Sequence, residues 1–179
     1  MRRVSVVGNS GSGKSTLGRA LAARLGVPYV ELDSIYHQRD WTPLPSEEFV
    51  ARVTEIASGA GWVIDGNYGA VRPLVWARAD TVVWVDPPRR RVMRRILWRT
   101  VSRGVMRRQL WNGNRESLRN LFSRDEDVNV VLWAWRSHGK YRERYTAAAV
   151  DPAYEQLRFV RIATAAEASA LCRNPQMGS

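Results

Sequence analysis

Cysteine and lysine are almost missing from this chain. Of 179 residues one is a cysteine, Cys172, which excludes an intramolecular disulfide and any metal site built from several thiolates. Set in an apolar stretch near the C-terminus, its thiol reads as ordinary packing. Long apolar runs are absent too. None approaches the ~20 residues that a membrane-spanning helix needs, and Met1-Arg2-Arg3 leads into a short apolar strand instead of a secretion signal. A soluble, cytoplasmic protein with no membrane partner is expected. Acids are scarce in one region above all: between Arg89 and Arg119 stand eleven arginines and a single acid, Glu116, so nearly all of the formal charge of +11 sits there. Such a segment suits a nucleic acid or a bound polyphosphate equally well. Because the only lysines are Lys14 and Lys140, the use of arginine in their place carries little information of its own.

What is present is enough for one domain with a sizeable core, since 45% of the residues are apolar. The most informative stretch is Gly8-Asn9-Ser10-Gly11-Ser12-Gly13-Lys14-Ser15-Thr16. An apolar run, Val4 to Val7, precedes it, and leucines at helical spacing from Leu17 to Leu25 follow, so the order is strand, glycine loop, helix. In that setting G-x-x-x-x-G-K-[ST] is a phosphate-binding loop. Glycines let successive N–H groups point at a phosphate, and the helix start adds unpaired donors and partial positive charge. Gly8, Ser10, Gly11, Ser12, Gly13, Lys14, Ser15 and Thr16 are therefore expected to bind ATP. Lys14 would reach the β- and γ-phosphates, and the Ser15 hydroxyl would hold Mg²⁺.

Further strands are expected at Pro28–Leu32, Gly61–Asp65, Thr81–Val85 and Leu157–Ile162. Between them helices are expected from a Ser46 cap to Ser58, from Ala70 to Ala79 with an interruption at Pro73, and from about Pro88 to Arg103. That last helix would be capped by Asp86 and ended by Gly104. Its Val92, Ile96 and Leu97 would face the sheet. A helix from Val128 to about Ala149 would carry Val131, Leu132, Trp135, Tyr141 and Tyr145 on its apolar side. Thr164-x-x-Glu167 is a capping box for the last helix. Alternating strands and helices imply a parallel sheet covered on both faces, with ligands at the carboxyl ends of the strands. Asp33, Asp65 and the glycine loop all fall on that edge.

With Leu32-Asp33-Ser34-Ile35-Tyr36, Trp41, Trp62 to Tyr68 and Asn112 to Arg119, the loop makes the chain resemble the P-loop kinases that include adenylate, shikimate and gluconate kinases. It most closely resembles the adenylate-kinase-like proteins known as DNA topology modulation proteins, from Val4 to about Ile162. The resemblance implies an α/β fold, a three-layer α/β/α P-loop NTPase with a five-stranded parallel sheet of order 2-3-1-4-5 and an arginine-rich helical lid. It also implies one domain, 1–179, with the lid inserted at about 99–126. By the same resemblance Asp33 would orient the acceptor, Asp65 would hold Mg²⁺ through water, and Arg95, Arg99, Arg115 and Arg119 would meet the transferring phosphoryl group. Tyr36, Trp41, Asn67, Tyr68 and Arg72 join Asp33 as candidate acceptor residues. Adenylate kinases place an arginine close after the third-strand Asp-Gly, whereas here Asn67 to Val71 intervene before Arg72, which leaves the acceptor open.

Two functions compete at this point. One is an ATP- and Mg²⁺-dependent phosphotransferase acting on an unidentified small acceptor. The other is a nucleic-acid-binding NTPase that uses the basic segment 89–119, with Trp98 and Trp111 as stacking platforms. A nucleotide-dependent switch that binds an acidic protein is a third, supported by the basic surface alone.

Overall fold

The computed structural model describes residues 1–106, 112 and 130–175. Five parallel strands, β1 (Arg3–Gly8), β2 (Tyr29–Glu31), β3 (Trp62–Asp65), β4 (Thr81–Val85) and β5 (Arg158–Ile162), form one sheet in the order β2-β3-β1-β4-β5. The helices are α1 (Lys14–Leu25), α2 (Leu32–Tyr36), α3 (Ser46–Ala57), α4 (Arg72–Arg78), α5 (Arg89–Met106), α6 (Val130–Ala148) and α7 (Ala165–Arg173). This is the expected three-layer α/β/α arrangement.

Strand alternation divides the core in two. Val4 and Val6 of β1, Val63 of β3 and Val83 and Val85 of β4 pack with Leu17 and Leu21 of α1 and Leu171 of α7. The opposite set, Val7, Trp62, Ile64, Val82 and Trp84, packs with Phe49 and Val53 of α3, Val75 and Trp76 of α4 and Tyr145 of α6. Both faces are covered, which is why these strands read as unbroken apolar runs instead of alternating ones.

Several local expectations are corrected. Ser46 is the first residue of α3, and Pro45 occupies the cap position with no side-chain hydrogen bond. Pro73 lies in the first turn of α4, where a missing N–H costs nothing, and so does not interrupt it. Gly104 does not end α5, which continues to Met106. Val92 and Ile96 are buried, but Leu97 is 47% exposed. On α6, Ala134, His138, Tyr145 and Ala148 are buried, while Trp135 is half exposed under the Arg89 guanidinium. The Thr164–Glu167 capping box forms as expected. Of the insertion expected at about 99–126, residues 107–111 and 113–126 lie outside the described residues, as do Arg115, Arg119 and Trp111. The arginine-rich helical lid is represented by α5 and α6. Arg142 of α6 and Arg161 of β5 both pair with the buried Asp86 carboxylate. That carboxylate was expected to cap α5. Among the described residues no helix is long and apolar enough to cross a membrane.

Asp80 closes the amino-terminal end of the sheet. Its Oδ2 accepts from the Arg2 and Arg3 backbone N–H groups at 2.7 and 2.8 Å. Partial burial acts to raise its pKa, but those two donors and the Thr81 hydroxyl outweigh it, and the carboxyl titrates below its usual value. A depressed carboxyl stabilises the fold above its unfolded pKa, and the contribution is lost as pH falls through the folded one. Asp80→Ala should therefore cost about 1 kcal/mol near neutral pH, and the gap to wild type should narrow as pH falls below the ordinary carboxylate range. Urea midpoints measured over that fall in pH check it.

Candidate active site

The glycine loop is built as its spacing requires. Gly8 has φ +142, and a Cβ there would fall on the Val85 carbonyl oxygen, so no side chain fits. Gly13, at φ 104, stands at the start of α1 with no side-chain cap. The first-turn N–H groups of α1, which have no partner within the helix, are thus left to a ligand. The Ser12 hydroxyl is buried and has no hydrogen-bond partner among the described residues. Lys14 Nζ folds back to the Asn9 carbonyl oxygen at 3.4 Å.

Both arginine-bearing helices rest on this loop. From α5, Arg95 donates to the Ser12 carbonyl oxygen at 2.9 Å and Arg99 to Ser10 Oγ at 3.1 Å. From the α6 side, the Asn9 amide donates to the Ala134 carbonyl oxygen at 2.7 Å, and Ser137 Oγ donates to Asn9 Oδ1 at 3.1 Å. Asn67, a candidate acceptor residue, is turned to the loop as well. Its amide donates to the Gly8 carbonyl oxygen at 2.6 Å and its Oδ1 accepts from Gly8 N–H at 3.1 Å and Tyr145 Oη at 2.9 Å.

Below the start of α1 lies an acidic corner. Strand register sets Glu31 directly beside Asp65. Ser15 Oγ donates to Glu31 Oε1 at 3.2 Å, and Arg19 pairs with Glu31 Oε2 at 2.9 Å. Tyr29 Oη donates to Asp65 Oδ2 at 3.0 Å, while Asp65 Oδ1 is buried without a hydrogen-bond partner. No three His, Cys, Asp or Glu side chains among the described residues cluster closely enough to hold a metal by themselves. One hydroxyl, two adjoining carboxylates and an unsatisfied buried oxygen fit Mg²⁺, which keeps waters and relies on substrate phosphates for part of its shell. Glu31 is not among the residues that the sequence singled out, because its place beside Asp65 is set by the register of β2 on β3.

Across the sheet edge, Asp33 lies in the short helix α2. Its Oδ1 accepts from Tyr68 Oη at 2.7 Å, and Tyr68 also meets His37 Nε2 at 3.4 Å. Burial, then the Asp33 charge, pushes the Tyr68 hydroxyl above its ordinary range and keeps it a donor. Tyr36 packs against Tyr68, Phe49 and His37, and His37 packs against Trp41, so the candidate residues Tyr36, Trp41 and Tyr68 share one aromatic wall. The half-buried Arg72 approaches Trp76, and its Nε has no hydrogen-bond partner. Asn112 donates to the His37 carbonyl oxygen at 2.6 Å, which sets it over this wall.

A cleft of about 720 Å³ opens on the other side of the loop, between α1, the end of β4, α5 and the β5–α7 turn. Gly13, Thr16, Pro87, Arg91, Arg95 and Thr164 are among the residues that line it. Its size is within the range of small-molecule sites.

Fold and loop together define a chain of the P-loop kinase and NTPase class. The family model that matches is that of shikimate kinase, over residues 10–55. A shikimate kinase of Synechococcus elongatus is 29% identical over 154 residues, covering 71% of this chain and 80% of that protein. Among solved structures, shikimate kinase from Bacteroides thetaiotaomicron aligns with TM-score 0.58 at 17% identity, over 98% of this chain and 96% of the other. A gluconokinase from Sinorhizobium meliloti aligns with TM-score 0.50 at 18% identity, over 99% and 97%. These findings overturn the closer resemblance to DNA topology modulation proteins. The chain is similar to shikimate kinases, within the same broad group of P-loop kinases.

Proposed function

We propose that this chain is an ATP- and Mg²⁺-dependent phosphotransferase that moves the γ-phosphoryl group to a hydroxyl of a small acceptor beside Asp33. The observation that carries the proposal is the placement of a complete phosphate loop and the Asp33 carboxylate at one sheet edge, with Tyr68 fixing that carboxylate. In this reading the cleft by Thr16 and Thr164 receives the nucleotide base, and the triphosphate runs along the loop toward Asp33. Asp33 orients the acceptor hydroxyl and accepts its proton. Ser15, Glu31 and Asp65 would hold Mg²⁺, which would neutralise phosphate charge when bound.

Phosphoryl transfer depends on positioning and charge stabilisation more than on covalent chemistry, so well-placed arginines matter; one can contribute about 10³ to 10⁵ in rate. Arg95 and Arg99, already on the loop, take that role; Arg115 and Arg119, which lie outside the described residues, are assigned to it by the kinase resemblance alone. Residues 1–179 then form a single cytoplasmic domain with its insertion at about 99–126.

A screen of hydroxylated acceptors, beginning with shikimate and gluconate, for ADP release above the acceptor-free rate tests the proposal. Asp33→Asn should lower acceptor-dependent turnover about 100-fold or more and leave ATP affinity within about twofold. An equal loss of ATP binding would move Asp33 into the metal shell. ATP-modulated oligonucleotide binding, with no small acceptor giving turnover, would remove the phosphotransferase reading.

A further inference from the structure

Tyr29 has no part in the scheme above, yet it sits in the middle of the acidic corner. Its ring lies on the α1 face of the sheet, under the Arg19 guanidinium at 5.1 Å. The ring fits only because residue 18 is glycine; a Cβ there would come within 2.8 Å of Tyr29 Cε2. From this seat the hydroxyl reaches Asp65 Oδ2 at 3.0 Å. Asp65 itself is 2% exposed, and its second oxygen, Oδ1, has no hydrogen-bond partner.

A buried carboxylate oxygen without a donor is expensive to maintain, and natural structures retain one where a ligand or ion completes it. The two carboxylates of the corner are neutralised differently. Glu31 has Arg19 and Ser15, while Asp65 has the Tyr29 hydroxyl alone among the described side chains. We infer that Tyr29 is a positioning residue for the divalent cation: by occupying Asp65 Oδ2 it fixes the carboxylate plane and leaves Oδ1 directed at the water shell of the ion. The inference rests on Asp65 belonging to the cation site, and the test separates the two.

The probe is Mn²⁺, titrated into the protein–ADP complex and followed by electron paramagnetic resonance, with ADP binding in EDTA measured alongside. Outer partners of metal-bound groups are commonly worth about 10- to 100-fold in metal affinity. Tyr29→Phe keeps the ring and its packing; it should weaken Mn²⁺ about tenfold and leave metal-free ADP binding within twofold. In the Asp65→Asn background the same change should add less than twofold, because the two residues act as one unit. Mn²⁺ affinity within twofold of wild type in Tyr29→Phe, with Asp65→Asn weakened tenfold, overturns the role of Tyr29 alone. Equal losses of Mn²⁺ and metal-free ADP binding in Tyr29→Phe would make the ring merely structural and overturn it too. An Asp65→Asn protein that binds Mn²⁺ normally removes Asp65 from the cation site, and the inference with it.

Discussion

Lys14→Ala should reduce ATP turnover by a factor of about 10² to 10³ or more while leaving the fold in place, since losing one preorganised donor to developing charge costs about 3 to 4 kcal/mol. The side chain is half buried, and its one hydrogen-bond partner among the described residues is the Asn9 carbonyl of its own loop, so little tertiary structure depends on it. Its ammonium is already bent back over the loop where a β- or γ-phosphate would lie. ADP release, with and without acceptor, should fall together, whereas circular dichroism and the urea midpoint should match wild type. Near-normal turnover in a well-folded variant would break the link between this loop and catalysis.

Trp76→Ala should be the most damaging substitution for stability. Trp76 is 2% exposed and meets Tyr154 and Phe159 edge-on, with ring centroids at 4.9 and 5.6 Å. Its Nε1–H donates to Ser5 Oγ at 3.2 Å, in the middle of β1. Truncation leaves a large cavity, for about 3 to 5 kcal/mol, and strands a buried hydroxyl as well. That is a substantial part of the 5–15 kcal/mol typical of a whole domain. Trp76→Phe, which keeps most of the apolar volume, should lose clearly less. Urea unfolding of the two variants decides it, and equal, small losses would mean that the core relaxes around this position.

The phosphate loop was legible because its information is local: glycines, a lysine and a hydroxyl at fixed spacing between a strand and a helix. The sheet order followed from the kinase resemblance, and the strand ends placed Asp33 and Asp65 on one edge. What could not be read depended on long-range pairing. Asp86 followed by Pro87 has the pattern of a helix cap, but two arginines from β5 and α6 pull its carboxylate elsewhere. Gly104 has the pattern of a helix stop, yet α5 runs through it. Asn67 looks like a residue offered to an acceptor until the fold sets it against Gly8 and Tyr145. Glu31 was overlooked because a strand-end acid announces a role only once its neighbour across the sheet is known.

The two helices that flank residues 107–129 are each fastened to the phosphate loop, α5 through Arg95 and Arg99 to Ser12 and Ser10, and α6 through Ala134 and Ser137 to Asn9. The exit and re-entry points of the chain are therefore set by the loop, independently of what joins them. For a flexible connector, doubling its length adds only about 0.6 kcal/mol of closure entropy. The scaffold thus behaves as a socket with two fixed terminals. Connectors of different length and sequence can be exchanged between them by evolution or by design, and the phosphate-binding geometry need not be rebuilt each time.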